Sequence, residues 1–252
     1  MHASWSSTLA LLTVFVGMIV LLAVPKANAK DEPTVSTAAV TESDIAFLKK
    51  GLSKKPKDSE LNTLKATAMM LALYSQNSMA GPDAAKAAGQ RDQALLIAAA
   101  LKKKDFPTAK TALEGLATAK EGDSKAVLKL EEQHGFDLNE LMSQFSLGRS
   151  GGRHIEADLK AQATKITDLK LAADLAARVV TIGQYTAVML PADAVGAKKK
   201  KWDELSVEMI QLGTEASAEA AKGTTTDKAA LAKKLGAINL NCKGCHDVFR
   251  NN

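Results

Sequence analysis

Aromatic side chains are scarce in this 252-residue chain, where phenylalanine, tryptophan and tyrosine together make up 4% of the residues. β-Strands favour aromatic and β-branched residues, so this scarcity argues against a sheet-rich fold. Alanine, the best helix former, is abundant instead, and its small side chain lets helices pack closely. The composition therefore predicts an all-α protein.

Cysteine is scarcer still, with only Cys242 and Cys245 in the chain. Two cysteines can form at most one internal disulfide, which excludes a fold held together by several disulfides.

The charge of the chain is less distinctive, since 24% of the residues are charged and the net charge is +5. The basic residues are scattered except for four lysines at 198–201. We interpret that run as a solvated loop, with a docking patch for an acidic partner as the alternative.

The first 29 residues have the pattern of an export signal. Residues 9–24 are almost entirely apolar, and the small-residue pattern Ala-Asn-Ala at 27–29 is typical of a cleavage site. This predicts a signal peptide at 1–29 and an exported, periplasmic mature protein. The segment before the apolar run has His2 but no lysine or arginine, so an uncleaved membrane anchor stays open as the alternative. Against it, the run is shorter than the roughly 20 residues of a full span.

The two cysteines belong to the motif Cys242-Lys243-Gly244-Cys245-His246, whose spacing is that of covalent haem attachment. Positions i and i+3 of a helix share one face, so two thiols there can reach the two vinyl groups of a porphyrin. The adjacent histidine can then bind the iron, since histidine is a usual proximal haem ligand. The motif predicts one covalent haem c with His246 as an iron ligand.

Three other interpretations of the motif are weaker. A thioredoxin-like redox pair needs an α/β domain, and no strand pattern is visible. A zinc site needs further cysteine or histidine ligands, and only His134 and His154 remain after the leader, both far away in sequence. A structural disulfide across two residues would close a very tight loop and would leave His246 unexplained.

The place of the motif narrows the class of haem protein. Only residues 247–252 follow it in this sequence, so a methionine ligand far downstream, as in the common small cytochromes c, does not fit. The tail Cys-Lys-Gly-Cys-His-Asp-Val-Phe-Arg resembles that of the class II cytochromes c, the cytochrome c-prime family. The resemblance extends loosely over residues 136–252, and it implies a four-helix bundle with the haem set between helices.

The sequence supplies four helical segments in the order that such a bundle needs. Apolar residues recur at helical spacing, and glycine, proline and Thr-Asp pairs separate the segments. The predicted helices cover residues 137–147, residues 155–190 with an interruption near Thr167-Asp168, residues 199–221, and residues 226–250 with the motif.

The resemblance also implies which residues face the open side of the iron. In the family the first helix supplies them, so Met142 is the first candidate for a second iron ligand. Plain apolar packing is the simpler expectation for its neighbours Leu138, Leu141 and Phe145. Without a second ligand the iron would be five-coordinate and open to small gases. Three arginines are candidate partners for the haem propionates, with a solvated surface position as the simpler interpretation of each: Arg149, Arg153 and Arg250.

The first half of the chain resembles the second without its chemistry. A shift of 111 residues aligns Tyr74 with Tyr185 and Arg91 with Trp202, and a shift of 118 aligns the segment before the motif. The latter shift puts three residues opposite the two cysteines and the histidine: Ser124, Val127 and Leu128. Residues 30–134 are therefore predicted to be a haem-free helical domain, a degenerate copy of the haem domain at 135–252. Chance similarity between alanine-rich helices stays open as the alternative.

Three functions compete for such a protein. An electron carrier needs only a haem edge near the surface, and a motif at a chain end favours this. A gas-binding protein needs an open iron site, which an apolar first helix would suit. A peroxidase-like enzyme would need an acid–base residue near the iron, and the apolar face of the first helix offers none, so we expect no enzyme. We predict an electron-transfer cytochrome with a redox protein as partner and no nucleic acid, and gas binding is the alternative function. For the first half we expect a structural role, either packing against the haem domain or forming a homodimer interface.

Overall fold

In the computed structural model, the chain is described at residues 38–126, 128, 138–148, 151–191 and 194–249. These ranges contain nine α-helices and no β-strand. The helices are α1 Ala38–Leu52, α2 Asp58–Ser78, α3 Ala84–Lys102, α4 Phe106–Gly115, α5 Leu138–Met142, α6 Ile155–Thr164, α7 Leu169–Val188, α8 Ala197–Ala220 and α9 Lys228–Phe249. The all-α prediction is confirmed.

Several predictions concern residues outside these ranges, namely the signal peptide, His134, Arg149 and Arg250. Within the ranges, no helix is long and apolar enough to cross a membrane.

Aspartates mark the start of three helices by accepting a hydrogen bond from a backbone N–H of the first turn, at 3.0 to 3.2 Å: Asp105, Asp168 and Asp227. Such caps satisfy donors that have no partner within the helix. Asp168 also confirms the predicted interruption, because α6 ends at Thr164 and α7 begins at Leu169. The side chain of Gln162 closes the break by accepting from the Thr167 backbone N–H at 3.0 Å.

The first helix of the expected bundle is shorter than the predicted 137–147. Its α-helical part ends at Met142, a 3-10 turn follows at Ser143–Phe145, and the backbone is extended at Ser146. The Ser143 hydroxyl donates to the carbonyl of Glu140 at 2.5 Å and lies 3.2 Å from the Thr63 hydroxyl. Local side-chain bonds of this kind compete with the helical ladder. The bundle helix that follows, α6, begins only at Ile155.

Two sets of consecutive helices pack in the same manner. In the first half α2 packs on α3 and α3 on α4, and in the second half α7 packs on α8 and α8 on α9, with α6 along α9. Glycines at the contact between α7 and α8 let these two helices approach each other closely. A Cβ on Gly183 would lie 3.1 Å from the backbone nitrogen of Ile210, and one on Gly213 would lie 3.0 Å from that of Val180.

Helices from the two sides of the predicted domain boundary contact each other, since α5 packs on α2 and α7 touches both α1 and α2. The boundary itself, between residues 134 and 135, lies outside the described residues. The division into two domains stays a prediction.

Candidate functional site

The motif residues all lie on α9, whose helical structure continues to Phe249. Cys242, Cys245 and His246 are half-buried, and the two thiols form no disulfide. On a helix, positions three and four apart share a face, so the two cysteines project to the same side of α9. The predicted placement of the motif on the last helix is confirmed.

One face of α9 packs on α8. The Asn241 amide donates to the carbonyl of Leu205 at 3.2 Å and to a carboxylate oxygen of Glu208 at 2.9 Å. A Cβ placed on Gly244 would also meet Leu205, at 3.8 Å. These contacts fix the rotation of α9, and Cys245, four residues after Asn241, lies next to the face that packs on α8. Asn241 was not singled out in the sequence, where the only signal was a polar residue in an otherwise apolar helical stripe.

The helix α6 also packs along α9, and its first turn lies near Cys242. Burial raises the pKa of Cys242 to about 12, and the negative charge of Glu156 on α6 contributes to that shift. Ile155 and Leu159 of α6 are buried.

Thiols in this environment stay protonated at neutral pH, because burial also raises the pKa of Cys245, to about 11. Reactive redox pairs and metal-binding cysteines work as thiolates, with a lowered pKa. In addition, the described residues contain no group of three or more His, Cys, Asp or Glu side chains that could hold a metal ion. The raised pKa of both thiols is therefore the reverse of what a disulfide exchange centre or a set of zinc-binding cysteines uses.

The end of α9 is held by an aromatic pair. The rings of Trp202 and Phe249 meet edge to face, with centroids 4.9 Å apart and an angle of 86° between planes. The Trp202 indole N–H donates to the carbonyl of Thr186 at 2.6 Å, which connects α8 to α7. His246 lies one turn before Phe249, so this pair supports the part of α9 that carries the expected iron ligand.

Met142 lies at the end of α5 and packs, half-buried, against the hydrophobic core. The main helix contact of α5 is with α2, whereas α6 is the helix beside the motif. Of its apolar neighbours, Leu141 is fully buried, and Leu138 and Phe145 pack against the core. Ligation of iron by Met142 stays a prediction.

The remaining candidates have other surroundings. Arg153, one of the expected propionate partners, forms instead a buried ion pair with Asp44 of α1. Its neighbour His154 stands before α6 in the left-handed conformation, at φ 62°, and its Nε2 accepts a hydrogen bond from the Gly148 N–H at 2.8 Å. In the first half, Ser124 lies in a turn rather than on a helix. Val127, the counterpart of Cys245, lies outside the described residues. Among the residues of this half that the structure describes, no helix carries the counterparts of the motif.

Comparison with known proteins gives two relatives, and both are named cytochrome c'. A cytochrome c' of Pararhodospirillum photometricum is 27% identical over 127 residues, which is 50% of this chain and 91% of the relative. A cytochrome c' of Rhodopseudomonas palustris is 42% identical over 52 residues, so the chain spans only 32% of that relative. No family model matches the chain, and no solved structure matches it. The chain is thus weakly similar to cytochromes c', whose name agrees with the resemblance at the motif.

Proposed function

We propose that the chain is an exported mono-haem cytochrome of the c-prime type that works in electron transfer. The observation that carries the proposal is the placement of Cys242, Cys245 and His246, all half-buried, within two turns of α9, where α8 and α6 both pack on that helix. The similarity to two cytochromes c' supports it.

Each motif residue has a defined part in holding the haem. The thiols of Cys242 and Cys245 would hold the haem through two thioether bonds, and His246 would supply a nitrogen ligand. When bound there, the haem would supply the one-electron chemistry of its iron. The exposed side of α9 is where we expect a redox protein to dock.

A five-coordinate, gas-binding haem is the second candidate. It is favoured by the packing of α5 on α2, because Met142 then lies on a helix other than the one beside the motif. Absorption spectra of the oxidised and reduced protein, with and without carbon monoxide, separate the two. A methionine ligand gives a low-spin haem that excludes carbon monoxide, whereas an open iron gives a high-spin haem that binds it.

Met142→Ala sharpens this test. If Met142 is a ligand, the substitution converts the low-spin spectrum to a high-spin one that responds to carbon monoxide. If the haem is high-spin from the start, the substitution leaves the spectrum unchanged and the gas-binding candidate takes precedence. Met79→Ala is the matched control, since Met79 is a half-buried methionine at the end of α2. It is expected to change neither spectrum.

A further inference from the structure

A fully buried carboxylate joins the two halves of the protein. Asp44 of α1 has no solvent exposure, and it is ion-paired with both Arg153 and Arg178. Arg178 of α7 makes a two-pronged contact, with one of its hydrogen bonds at 3.1 Å. A charged group is rarely buried unless it is paired, because removing it from water costs several kcal/mol. The three side chains therefore form a unit that specifies how α1 meets the second half.

Two further side chains of α1 contact the guanidinium of Arg153. The ring of Phe47 covers its guanidinium, whose carbon lies 4.5 Å from the ring centroid. The hydroxyl of Ser43 accepts a hydrogen bond from the same guanidinium at 3.3 Å. Three successive contacts from one helix thus hold a side chain that belongs to the segment before α6.

The backbone around Arg153 is equally constrained. Its N–H donates to the carbonyl of Gln144 at 2.9 Å, and the N–H of His154 donates to that of Ser146 at 3.0 Å. His154 then accepts from Gly148, as described above, and α6 begins at the next residue. Arg153 and the first turn of α6 therefore form one rigid connection.

The segment before Arg153 also rests on the first half. Lys65 of α2 forms an ion pair with Glu140, and both side chains are largely buried. Gly151 lies against the backbone of α2, where an added Cβ would come within 2.2 Å of the Ser59 carbonyl oxygen. The first half thus contacts this segment at its start, near its end and at Arg153.

We propose that Asp44 is a positioning residue for the haem site, and that it acts by holding Arg153 and thereby the first turn of α6 beside Cys242. The proposal rests on the proposed function, and it assigns a role to the haem-free half, which is to set the surroundings of the haem. The connection is short, because Arg153 lies two residues before Ile155, the buried first residue of α6, and α6 packs along α9. The negative charge of the next residue, Glu156, contributes to the raised pKa of Cys242, which agrees with this placement.

The experiment uses the full chain, loaded with haem. Arg153→Met removes the connection while Arg178 continues to neutralise Asp44, so the fold is expected to survive. Arg153→Lys keeps the charge and serves as the conservative variant. Leu113→Ala is the matched control, since Leu113 is a buried residue of α4 that takes no part in the Arg153 contacts.

Two measurements are compared across these variants. The first is amide hydrogen exchange at Arg153, His154 and Asp158, whose N–H groups donate to backbone carbonyls around the start of α6. The second is the rate of carbon monoxide binding or, for a six-coordinate haem, the reduction potential. Arg153→Met is expected to lower protection at these amides by about tenfold or more and to change the carbon monoxide rate by about threefold to thirtyfold. Arg153→Lys is expected to restore most of both. Leu113→Ala is expected to change neither, although it lowers global stability.

The proposal is overturned if Arg153→Met behaves like Leu113→Ala, with reduced global stability but unchanged exchange at positions 153, 154 and 158 and unchanged haem properties. It is also overturned if exchange increases while the haem properties stay the same, because α6 would then not set the haem surroundings. Failure of the proposed function gives a different result, in which wild-type protein carries no covalent haem at all.

Discussion

The helix sets α2 to α4 and α7 to α9 pack alike, yet only the second ends in a helix that can present the motif. α9 has 22 residues and carries both thiols and the histidine. α4 has 10 residues and ends at Gly115, and the chain then runs through non-helical backbone to Ser124. The packing of three helices in this manner therefore does not depend on the motif, whereas haem attachment requires a last helix as long as α9.

Arg91 and Trp202, which the shift of 111 residues aligns with each other, also differ between the two helix sets. Both are buried on the middle helix of their set, α3 or α8. Trp202 packs edge to face on Phe249 and so supports the end of α9. Arg91 donates to the carbonyl of Ala126 and so supports a turn. An aromatic ring at this position suits a helix packed beside it, and a guanidinium suits a backbone that presents carbonyl oxygens. The duplication itself stays a prediction, which these parallels support.

The largest expected effect comes from moving the motif between the two halves. Cys242→Ser combined with Cys245→Ser is expected to abolish covalent haem. A graft of Ser124→Cys, Val127→Cys and Leu128→His into wild type is expected to add none, because Ser124 lies in a turn and cannot share a helical face with a second thiol. Iron content per chain measures both results.

In that experiment the wild type and the graft are expected to contain one iron per chain, and the double serine variant none held covalently. Two irons per chain in the graft would contradict the interpretation that the first half lacks the geometry as well as the residues.

The next largest effect is expected from removing the charge of Asp44, the carboxylate that joins the two halves of the protein. Asp44→Asn leaves two buried guanidinium groups without a counter-charge, so we expect a loss of about 3 to 5 kcal/mol in the free energy of unfolding. Denaturant unfolding measures it. Asp58→Asn is the control, because Asp58 is paired with Lys104 at 2.8 Å on the surface, where ion pairs contribute little. Equal effects of the two substitutions would show that the Asp44 cluster does not hold the halves together.

The smallest effect is expected from substitutions at Trp202 and Arg91, the two aligned residues. Trp202→Phe leaves the carbonyl of Thr186 without the indole donor, which costs about 1 to 3 kcal/mol. Because Trp202 supports the end of α9, the substitution is also expected to alter the visible circular dichroism of the haem. Arg91→Met is expected to lower stability without altering that signal. A haem signal that responds to Arg91→Met and not to Trp202→Phe would reverse the assignment of supporting residues.

Local features of this protein could be predicted from the sequence, and distant ones could not. The placement of the motif on the last helix and the break before Asp168 depend on spacing and on caps within a few residues. The pairing of Asp44 with Arg178 joins residues 134 positions apart, and no pattern in either segment indicates it. The shortening of α5 depends on the Ser143 hydroxyl, whose contact with Thr63 exists only when α5 packs on α2. α6 packs along α9, whereas the sequence pattern indicates only Met142 of α5 as a candidate on the open side of the iron.

The central claim is that α9 carries one covalent haem through Cys242 and Cys245. The most direct test is the mass of the denatured full chain after acid–acetone extraction, followed by the mass of its proteolytic fragments. The account predicts that the colour stays with the polypeptide, that the mass exceeds that of the bare chain by one intact haem, and that the added mass lies on the fragment containing both cysteines. Colour that leaves with the solvent, together with a chain of bare mass, would contradict it.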